Sequence, residues 1–209
     1  MEDIYIIGAS GFGREVAWLI EELDEFNVVG FIDDNKKIQN TTINDIPVLG
    51  GVPFLNEKRE EINVVIAIGN PSVRKKIYDQ LKNNKNIKFP NIIAKDVRIS
   101  NTNNIGFGNI ICTQSVLTVN ITLGNFNHIN LDCTVGHDVI IHDFVTVYPS
   151  VNISGNVEIG NCSELGTGTK IIQGKTIIEN VIVGAGSVVI KDIKTSGTYV
   201  GSPVRMVIK

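Results

Sequence analysis

The 209-residue sequence lacks the features that would tie it to nucleic acid, a membrane or a disulfide framework. Lys and Arg total 19 against 22 Asp and Glu, a formal net charge of −3, and no basic block interrupts that balance. A basic stripe is the electrostatic footprint of a nucleic-acid or anionic-membrane partner, so neither is expected. No apolar run approaches the ~20 residues needed to span a bilayer. The opening MEDIYIIGAS is acidic and runs straight into a strand-like segment, which argues against a secretory signal. Cysteines are few: Cys112, Cys133 and Cys162, odd in number and without C-x-x-C spacing. A disulfide framework and a zinc site are therefore both disfavoured, the thiols read as packing residues, and a cytoplasmic location is expected. There are only three histidines, yet two lie five residues apart in TVGHDVIIHD, Thr134 to Asp143, each followed by aspartate. A metal site, an acid/base pair and a plain charged surface all fit that stretch until the direction of each side chain is known.

The chain has two grammars. Residues 1–90 alternate strands and helices, which predicts a parallel sheet in an α/β domain. IYIIG, NVVGFIDD and NVVIAIGN read as strands. GFGREVAWLIEEL places Val16, Leu19, Ile20 and Leu23 at helical spacing, and PSVRKKIYDQL opens with proline at a helix start. Residues 91–209 follow a different rule. From Ile93 to Val189 every sixth residue is Ile, Leu or Val, seventeen in succession. Aliphatics of this kind fill roughly a third of positions in average proteins, so chance does not supply such a run. Small or β-branched residues such as Ser115, Cys133, Val145, Ser163 and Ser187 recur four positions on, and glycine often follows the aliphatic directly. A fixed short period of this kind predicts a solenoid, with no long loop breaking its register.

The run resembles the hexapeptide-repeat left-handed β-helix, in which three hexads make one coil with the aliphatics inward, and the register this resemblance implies separates the histidines. With Val135 and Ile141 inward, His137 falls two positions on and is expected to point outward from a flat face or its edge. His142 falls one position after Ile141, near a corner. They occupy different sides of the coil, so no shared metal is expected. Asp138 beside His137 would fix the imidazole tautomer and raise its basicity. One coil later stands Gly155, which would leave open space and a free N–H beside the imidazole. A base, a slot and a free amide are the parts of an acyl-transfer site, whereas the bland alternative is two polar residues on a solenoid surface.

In the first half, Gly8, Gly11 and Gly13 follow a strand and open a helix, where backbone amides can cradle a phosphate. Their spacing is not G-x-G-x-x-G. Asp33 and Asp34 end the second strand, where an acidic residue would meet a ribose hydroxyl. An NAD-dependent oxidoreductase is one reading. About 90 residues hold only one mononucleotide-binding half, however, so a nucleotide-linked sugar fits better than a dinucleotide.

The hexad run resembles the hexapeptide-repeat acyltransferases, whose fold is a left-handed parallel β-helix with three hexads per coil. IIGASGFGREV, GFIDDN and AIGNPSVRKKIYDQL, followed by such a solenoid, are similar to the bacterial nucleotide-amino-sugar N-acetyltransferase and sialate O-acetyltransferase branch of bacillosamine, perosamine and viosamine modification. The resemblance covers essentially the whole chain. It implies a Rossmann-like nucleotide-sugar-binding domain over residues 1–90 and a left-handed β-helix over residues 91–209. It implies an acetyl-CoA-dependent N-acetyltransferase acting on a nucleotide-linked 4-amino-4,6-dideoxyhexose, with His137 as base, Asp138 supporting it and Asn130 in the site. Thr146, Gly155, Thr167 and Ala185 take the coenzyme positions, with Pro203 and Arg205 of GTYVGSPVRMV bordering its adenine end. Ser10, Gly11, Phe12, Asp33, Asp34 and Gly69 take the substrate positions. Asn70 and Arg74 lie close behind, and the arginine reads either as a diphosphate partner or as part of a solvated helix face. The bacillosamine group carries a second histidine where this chain has Thr146. The resemblance also implies a homotrimer with active sites between subunits, a cytoplasmic role in polysaccharide biosynthesis, and no metal. O-acetylation of a sialic acid or another sugar hydroxyl, and a non-catalytic nucleotide-sugar-binding scaffold, remain open.

Overall fold

The computed structural model describes residues 1–207, so the segment expected over 91–209 extends two residues beyond them. The chain divides into two compact units, Met1–Ile92 and Ile93–Lys209. The first is a six-stranded sheet flanked by helices. In chain order its elements are β1 (Glu2–Ile7), α1 (Gly11–Leu23), β2 (Phe26–Ile32), β3 (Thr42–Ile43), β4 (Ile46–Gly50), α2 (Pro53–Asn56), β5 (Ile62–Ile66), α3 (Pro71–Leu81) and β6 (Ile87–Lys88). The strand order is β3-β4-β2-β1-β5-β6, parallel except for the β3–β4 pair. Ile4, Ile6, Ile7, Phe31, Val64 and Val65 are buried, because the central strands of a parallel sheet are covered on both faces. Helix α1 buries Val16, Leu19, Ile20 and Leu23, the four residues its periodicity singled out. It lies so close to the sheet that a Cβ on Gly13 would stand 1.9 Å from the Gly8 carbonyl oxygen.

The chain leaves β1 toward β2 and β4, then returns to β5 on the other side. That reversal creates a crevice at the C-terminal ends of β1 and β5, the place where open parallel sheets bind ligands.

The second unit is a triangular β-solenoid. Each hexad contributes a two- or three-residue strand, and the strands stack in parallel on three faces of eight, six and five strands. The eight-stranded face includes Ile110–Ile111, His128–Ile129, Thr146–Val147, Glu164–Leu165 and Val181–Val183, and ends in Gly197–Val200 and Arg205–Met206, which pair antiparallel. The six-stranded face runs from Arg98–Ile99 through Thr134–Val135 and Asn152–Ile153 to Val188–Val189. The five-stranded face includes Ile140–Ile141 and Glu158–Ile159. Partners are 18 residues apart, as in Val135 opposite Ile153 and Ile141 opposite Ile159.

The aliphatic column points inward as the period requires. Val135, Ile141, Ile153 and Ile159 are at most 2% exposed, and the same column is buried without a break from Ile111 to Val189. The first coil is looser: Ile99 is 37% exposed, and Ile93 and Ile105 only edge the core. No loop interrupts the run of strands from Ile92 to Val189.

The corners have a feature that composition hides. Three positions after each aliphatic, from Gly108 to Gly186, every sixth residue has a positive φ, between 54° and 73°. Asn, Asp and Gly adopt this left-handed conformation most easily, and other residues cost roughly 1–2 kcal/mol each. Phe126 and Phe144 nevertheless occupy it, and their rings stack 5.3 Å apart at an interplanar angle of 5°. Ring stacking contributes about 0.5–1.5 kcal/mol beyond area burial, which offsets part of that strain.

Replacing Ile159 by Asp is expected to abolish cooperative folding. An unpaired charge in this fully buried column costs on the order of 3–5 kcal/mol, a large share of a typical domain's stability. Circular dichroism with thermal melting checks it, and a variant that melts like the parent would sink the inward register.

Candidate active site

His137 and Asp138 form the two-residue turn between Val135 on the six-stranded face and Ile140 on the five-stranded one. The corner therefore falls one residue later in the hexad than the sequence suggested. His137 occupies the turn itself, and His142 sits at the end of its face, before the next turn. The reason lies in the left-handed residue: the chain changes direction at Asp138, whose φ is 59°.

The His137 side chain is 49% exposed, and its Nδ1 lies 2.7 Å from Asp138 Oδ2. A carboxylate can only accept, so Nδ1 carries the proton and Nε2 presents its lone pair. Asn120 Nδ2, one coil below, donates to the other carboxylate oxygen, Oδ1, at 3.3 Å. The hydrogen bond from His137, followed by that from Asn120, holds the Asp138 carboxyl below its usual range. Asp138 thus stays ionised and keeps the imidazole in one tautomer.

Gly155 stands one coil above. The imidazole does not leave an open slot beside it, as expected, but lies against it: a Cβ on Gly155 would come 2.5 Å from both Cε1 and Nε2. Glycine here makes room for the ring. The Gly155 N–H finds no acceptor among the described residues. At the corner that carries Asn125 and Asp143 those same amides are taken, by Asp143 Oδ1 and Asn161 Oδ1. The His137 corner therefore joins an oriented imidazole lone pair to an unused backbone donor.

A histidine–carboxylate pair alone does not distinguish this site. His142 Nε2 lies 2.9 Å from Glu158 Oε1, a partner 16 residues away that adjacency in sequence could not reveal. Gly160, the residue stacked one coil above His142, has its N–H taken by the Ile177 carbonyl at 2.8 Å, whereas the Gly155 N–H above His137 has no recorded acceptor among the described residues.

Other nominated residues lie elsewhere in the same solenoid. Asn130 follows Ile129 on the eight-stranded face, and its Oδ1 accepts from the Leu131 N–H at 2.7 Å. Thr146 is buried on that face, in register with His128 below and Glu164 above. Thr167 and Ala185 are exposed and stack at the corner following that face. Within one chain, Asn130, Thr146, Thr167 and Ala185 therefore form a group apart from His137, Asp138 and Gly155. Pro203 and Arg205 are exposed near the end of the eight-stranded face. Cys133 is fully buried and burial pushes its thiol up to about 11, so it offers no thiolate near neutral pH.

In the first unit, a cavity of about 170 Å³ lies at the strand ends, lined by Gly8, Asp33, Asp34, Val52, Ile68 and Val73 among others. Ser10 and Gly11 are exposed at the start of α1, Phe12 is half-buried behind them, and Gly69 follows β5. Asp33 Oδ2 accepts from the Ala9 N–H at 3.0 Å and its Oδ1 from the Asn35 N–H at 2.9 Å. Asp34 Oδ1 accepts from the Val52 N–H at 2.9 Å. Asn70 caps α3, accepting from the Val73 N–H at 3.0 Å. Arg74 corrects both sequence readings. It is neither solvated nor turned to a ligand but fully buried, with Nη1 donating to the carbonyls of Ile68 at 2.6 Å and Gly69 at 3.0 Å. A buried guanidinium bracing a loop carbonyl pair satisfies donors that would otherwise be costly.

Residues 3–81 match the PglD N-terminal domain family. GDP-perosamine N-acetyltransferase of Escherichia coli O157:H7 is 28% identical over 192 residues, covering 87% of this chain and 82% of that one. The acetyltransferase domain of PglB from Neisseria gonorrhoeae FA1090, in complex with acetyl coenzyme A, superposes with a TM-score of 0.91 at 29% identity, covering 99% of both chains. WeeI from Acinetobacter baumannii AYE is 32% identical with a TM-score of 0.90, covering 99% of this chain and all of that one. The chain belongs to the hexapeptide-repeat sugar acetyltransferases. Its second unit is a β-solenoid of the left-handed β-helix type. In this acetyltransferase, no group of three or more His, Cys, Asp or Glu among the described residues is placed to hold a metal ion. No helix among them is long and apolar enough to cross a membrane.

Gly155→Ala should displace the His137 ring without unfolding the solenoid, since the ring is exposed and can swing away. A displacement near 1 Å costs about 10²-fold in rate, so kcat is expected to fall by that order with little change in melting temperature. Unchanged turnover would show that the ring's seat on Gly155 is irrelevant to chemistry.

Proposed function

We propose that this chain transfers an acetyl group from acetyl-CoA to the amine of a nucleotide-linked 4-amino-4,6-dideoxyhexose. One observation carries the reading: an exposed imidazole whose Nδ1 is tied to a carboxylate lies against a glycine with an unused N–H. The names of the relatives support it, since one acts on GDP-perosamine and another binds acetyl coenzyme A. The amine attacks the thioester carbonyl, and His137 Nε2 takes its proton as the C–N bond forms. The carbonyl oxygen becomes an oxyanion, which the Gly155 N–H is suited to stabilise. When the C–S bond breaks, the electron pair leaves on the coenzyme sulfur, and His137 returns the proton to that thiolate. Transfer is direct. The buried Cys133 thiol makes a poor acyl carrier.

The split of the candidate residues between two parts of one solenoid supports assembly as a homotrimer. The His137 corner of one protomer would then face the Asn130, Thr146, Thr167 and Ala185 surface of the next, with acetyl-CoA lying between them. The first unit would be a Rossmann-like nucleotide-sugar-binding domain. There Ser10, Gly11 and Phe12 at the α1 N-terminus meet the phosphates, and Asp33, Asp34 and Gly69 line the crevice. A cytoplasmic location and a role for the acetamido sugar in polysaccharide assembly complete the reading.

Thiol release from acetyl-CoA tests the reading against a panel of nucleotide-linked 4-amino-4,6-dideoxyhexoses that includes GDP-perosamine, with a sialic acid as the hydroxyl acceptor. His137→Ala should lower kcat by about 10²–10⁴-fold, the usual contribution of a general base, while His142→Ala stays near the parent rate. The opposite ranking would overturn the site. Full activity in both variants would move the base elsewhere, and a protein that binds nucleotide sugars but never releases thiol would be a scaffold.

A second variant addresses the first unit. The nearest atom to a Cβ on Gly11 is Arg14 Nη2 at 3.9 Å, so Gly11→Val fits the fold. It should raise KM for the nucleotide sugar and leave KM for acetyl-CoA unchanged, because bulk at this turn blocks backbone approach to phosphate. Equal rises in both constants would reduce the loop to a structural turn.

A further inference from the structure

We propose that Asn120 is a positioning residue for the His137–Asp138 pair, holding the Asp138 carboxylate from the coil below. The inference rests on His137 acting as the base.

The geometry runs down one corner of the solenoid. Asp138 divides its two oxygens: Oδ2 meets His137 Nδ1 at 2.7 Å, and Oδ1 accepts from Asn120 Nδ2 at 3.3 Å. Its backbone is fixed as well, with the Asp138 N–H donating to the Val119 carbonyl at 3.1 Å. Asn120 is anchored in turn, its N–H donating to Thr102 Oγ1 at 3.0 Å, with Ser100 Oγ 2.9 Å from that hydroxyl. Three successive coils therefore fix the carboxylate that orients the imidazole. Ladder bonds of this kind occur elsewhere; Ser150 Oγ donates to Asp132 Oδ2 at 2.9 Å across another corner. The Asn120 bond differs in its acceptor, which carries a histidine on its other oxygen.

The chemistry favours asparagine here. A neutral amide donor stabilises the ionised carboxylate without competing with the imidazole for it as a cation would. It bonds Oδ1 alone, and among the described residues His137 Nδ1 is the recorded partner of Asp138 Oδ2. Without Asn120 the half-exposed carboxylate is free to rotate toward water, and the Nε2–H tautomer, which cannot accept the amine proton, becomes populated. Asn120 itself has φ 58°, so glycine accepts its backbone where alanine would be strained.

The test is Asn120→Gly, assayed with whichever acceptor of the panel above gives the most thiol release. Loss of a group that orients a functional histidine is expected to lower kcat by about tenfold, the low end for such partners, with both KM values unchanged. In the His137→Ala background the same substitution should have no further effect. Nitrogen-15 imidazole NMR should show His137 shifting from the Nδ1–H toward the Nε2–H tautomer, a readout independent of turnover. If Asn120→Gly lowers the melting temperature, Asn120→Asp carries the test. It keeps the turn and the volume but offers an acceptor where Asp138 needs a donor, and the same tautomer shift is expected. An unchanged tautomer in both variants overturns the proposal, as does an equal loss of activity with and without His137. If His137→Ala proves fully active, the base reading has failed, and the tautomer measurement still decides whether Asn120 positions the pair.

Discussion

Everything in the second unit depends on one constraint: an aliphatic side chain must point inward at every sixth residue, stacked on its counterpart 18 residues away. Burying this column drives the coil to close, and closing leaves no freedom in which residue lands at a corner. The solenoid therefore behaves as a ruler. A functional group placed at one hexad position is fixed in height by its coil and in direction by its face. His137 needs no lid or hinge to be oriented; the stack of Val135 on Ile153 places it under Gly155.

The same closure has a cost at the corners, where one residue per hexad is forced into the left-handed region. The chain meets that cost in several ways. Gly, Asn and Asp accept the conformation with little strain, the stacked phenylalanines offset part of theirs, and polar corner residues bond along the stack. The His137 corner uses the same general device. Asp138 is a left-handed corner residue whose carboxylate accepts from Asn120 along the stack and, through its other oxygen, also holds the adjacent imidazole at Nδ1. His142 and Glu158 show the contrast. They also pair, but across a flat face, and the amide stacked above His142, that of Gly160, is taken by the Ile177 carbonyl.

The period was legible in the sequence because it is carried by side-chain chemistry. Seventeen aliphatics in register announce a solenoid, and fourteen of them, Ile111 through Val189, are buried. The exact place of the corner was not legible, because it is set by backbone φ at positions filled by Phe, Cys, Ser and Gln as well as by Asn, Asp and Gly. Hence the one-residue displacement of His137 and His142 from their expected places. The His137–Asp138 contact was legible through adjacency, while Asn120 and Glu158 were hidden by the coil that separates them from their partners. Gly155 was found for half the right reason: its amide is free, but the space it leaves is filled by the ring. Arg74 misled because sequence gives charge and spacing but not burial, and a guanidinium on a helix reads the same whether it faces solvent or braces Ile68 and Gly69.

The first unit invites a similar caution about its two aspartates. Asp33 and Asp34 each hold main-chain amides, which would be reason enough for carboxylates at the end of β2. That duty does not disqualify them as ligand contacts. A carboxylate offers about four lone-pair sites, and the recorded bonds use two on Asp33 and one on Asp34. The amide of Ala9, inside the glycine turn, fixes Asp33 relative to the start of α1, so the acidic group and the first amides of that helix are held in one frame. A nucleotide needs that relation between a ribose acceptor and a phosphate donor. In both units the structural bonds set the geometry, and the capacity left over on the same atoms is what remains for chemistry.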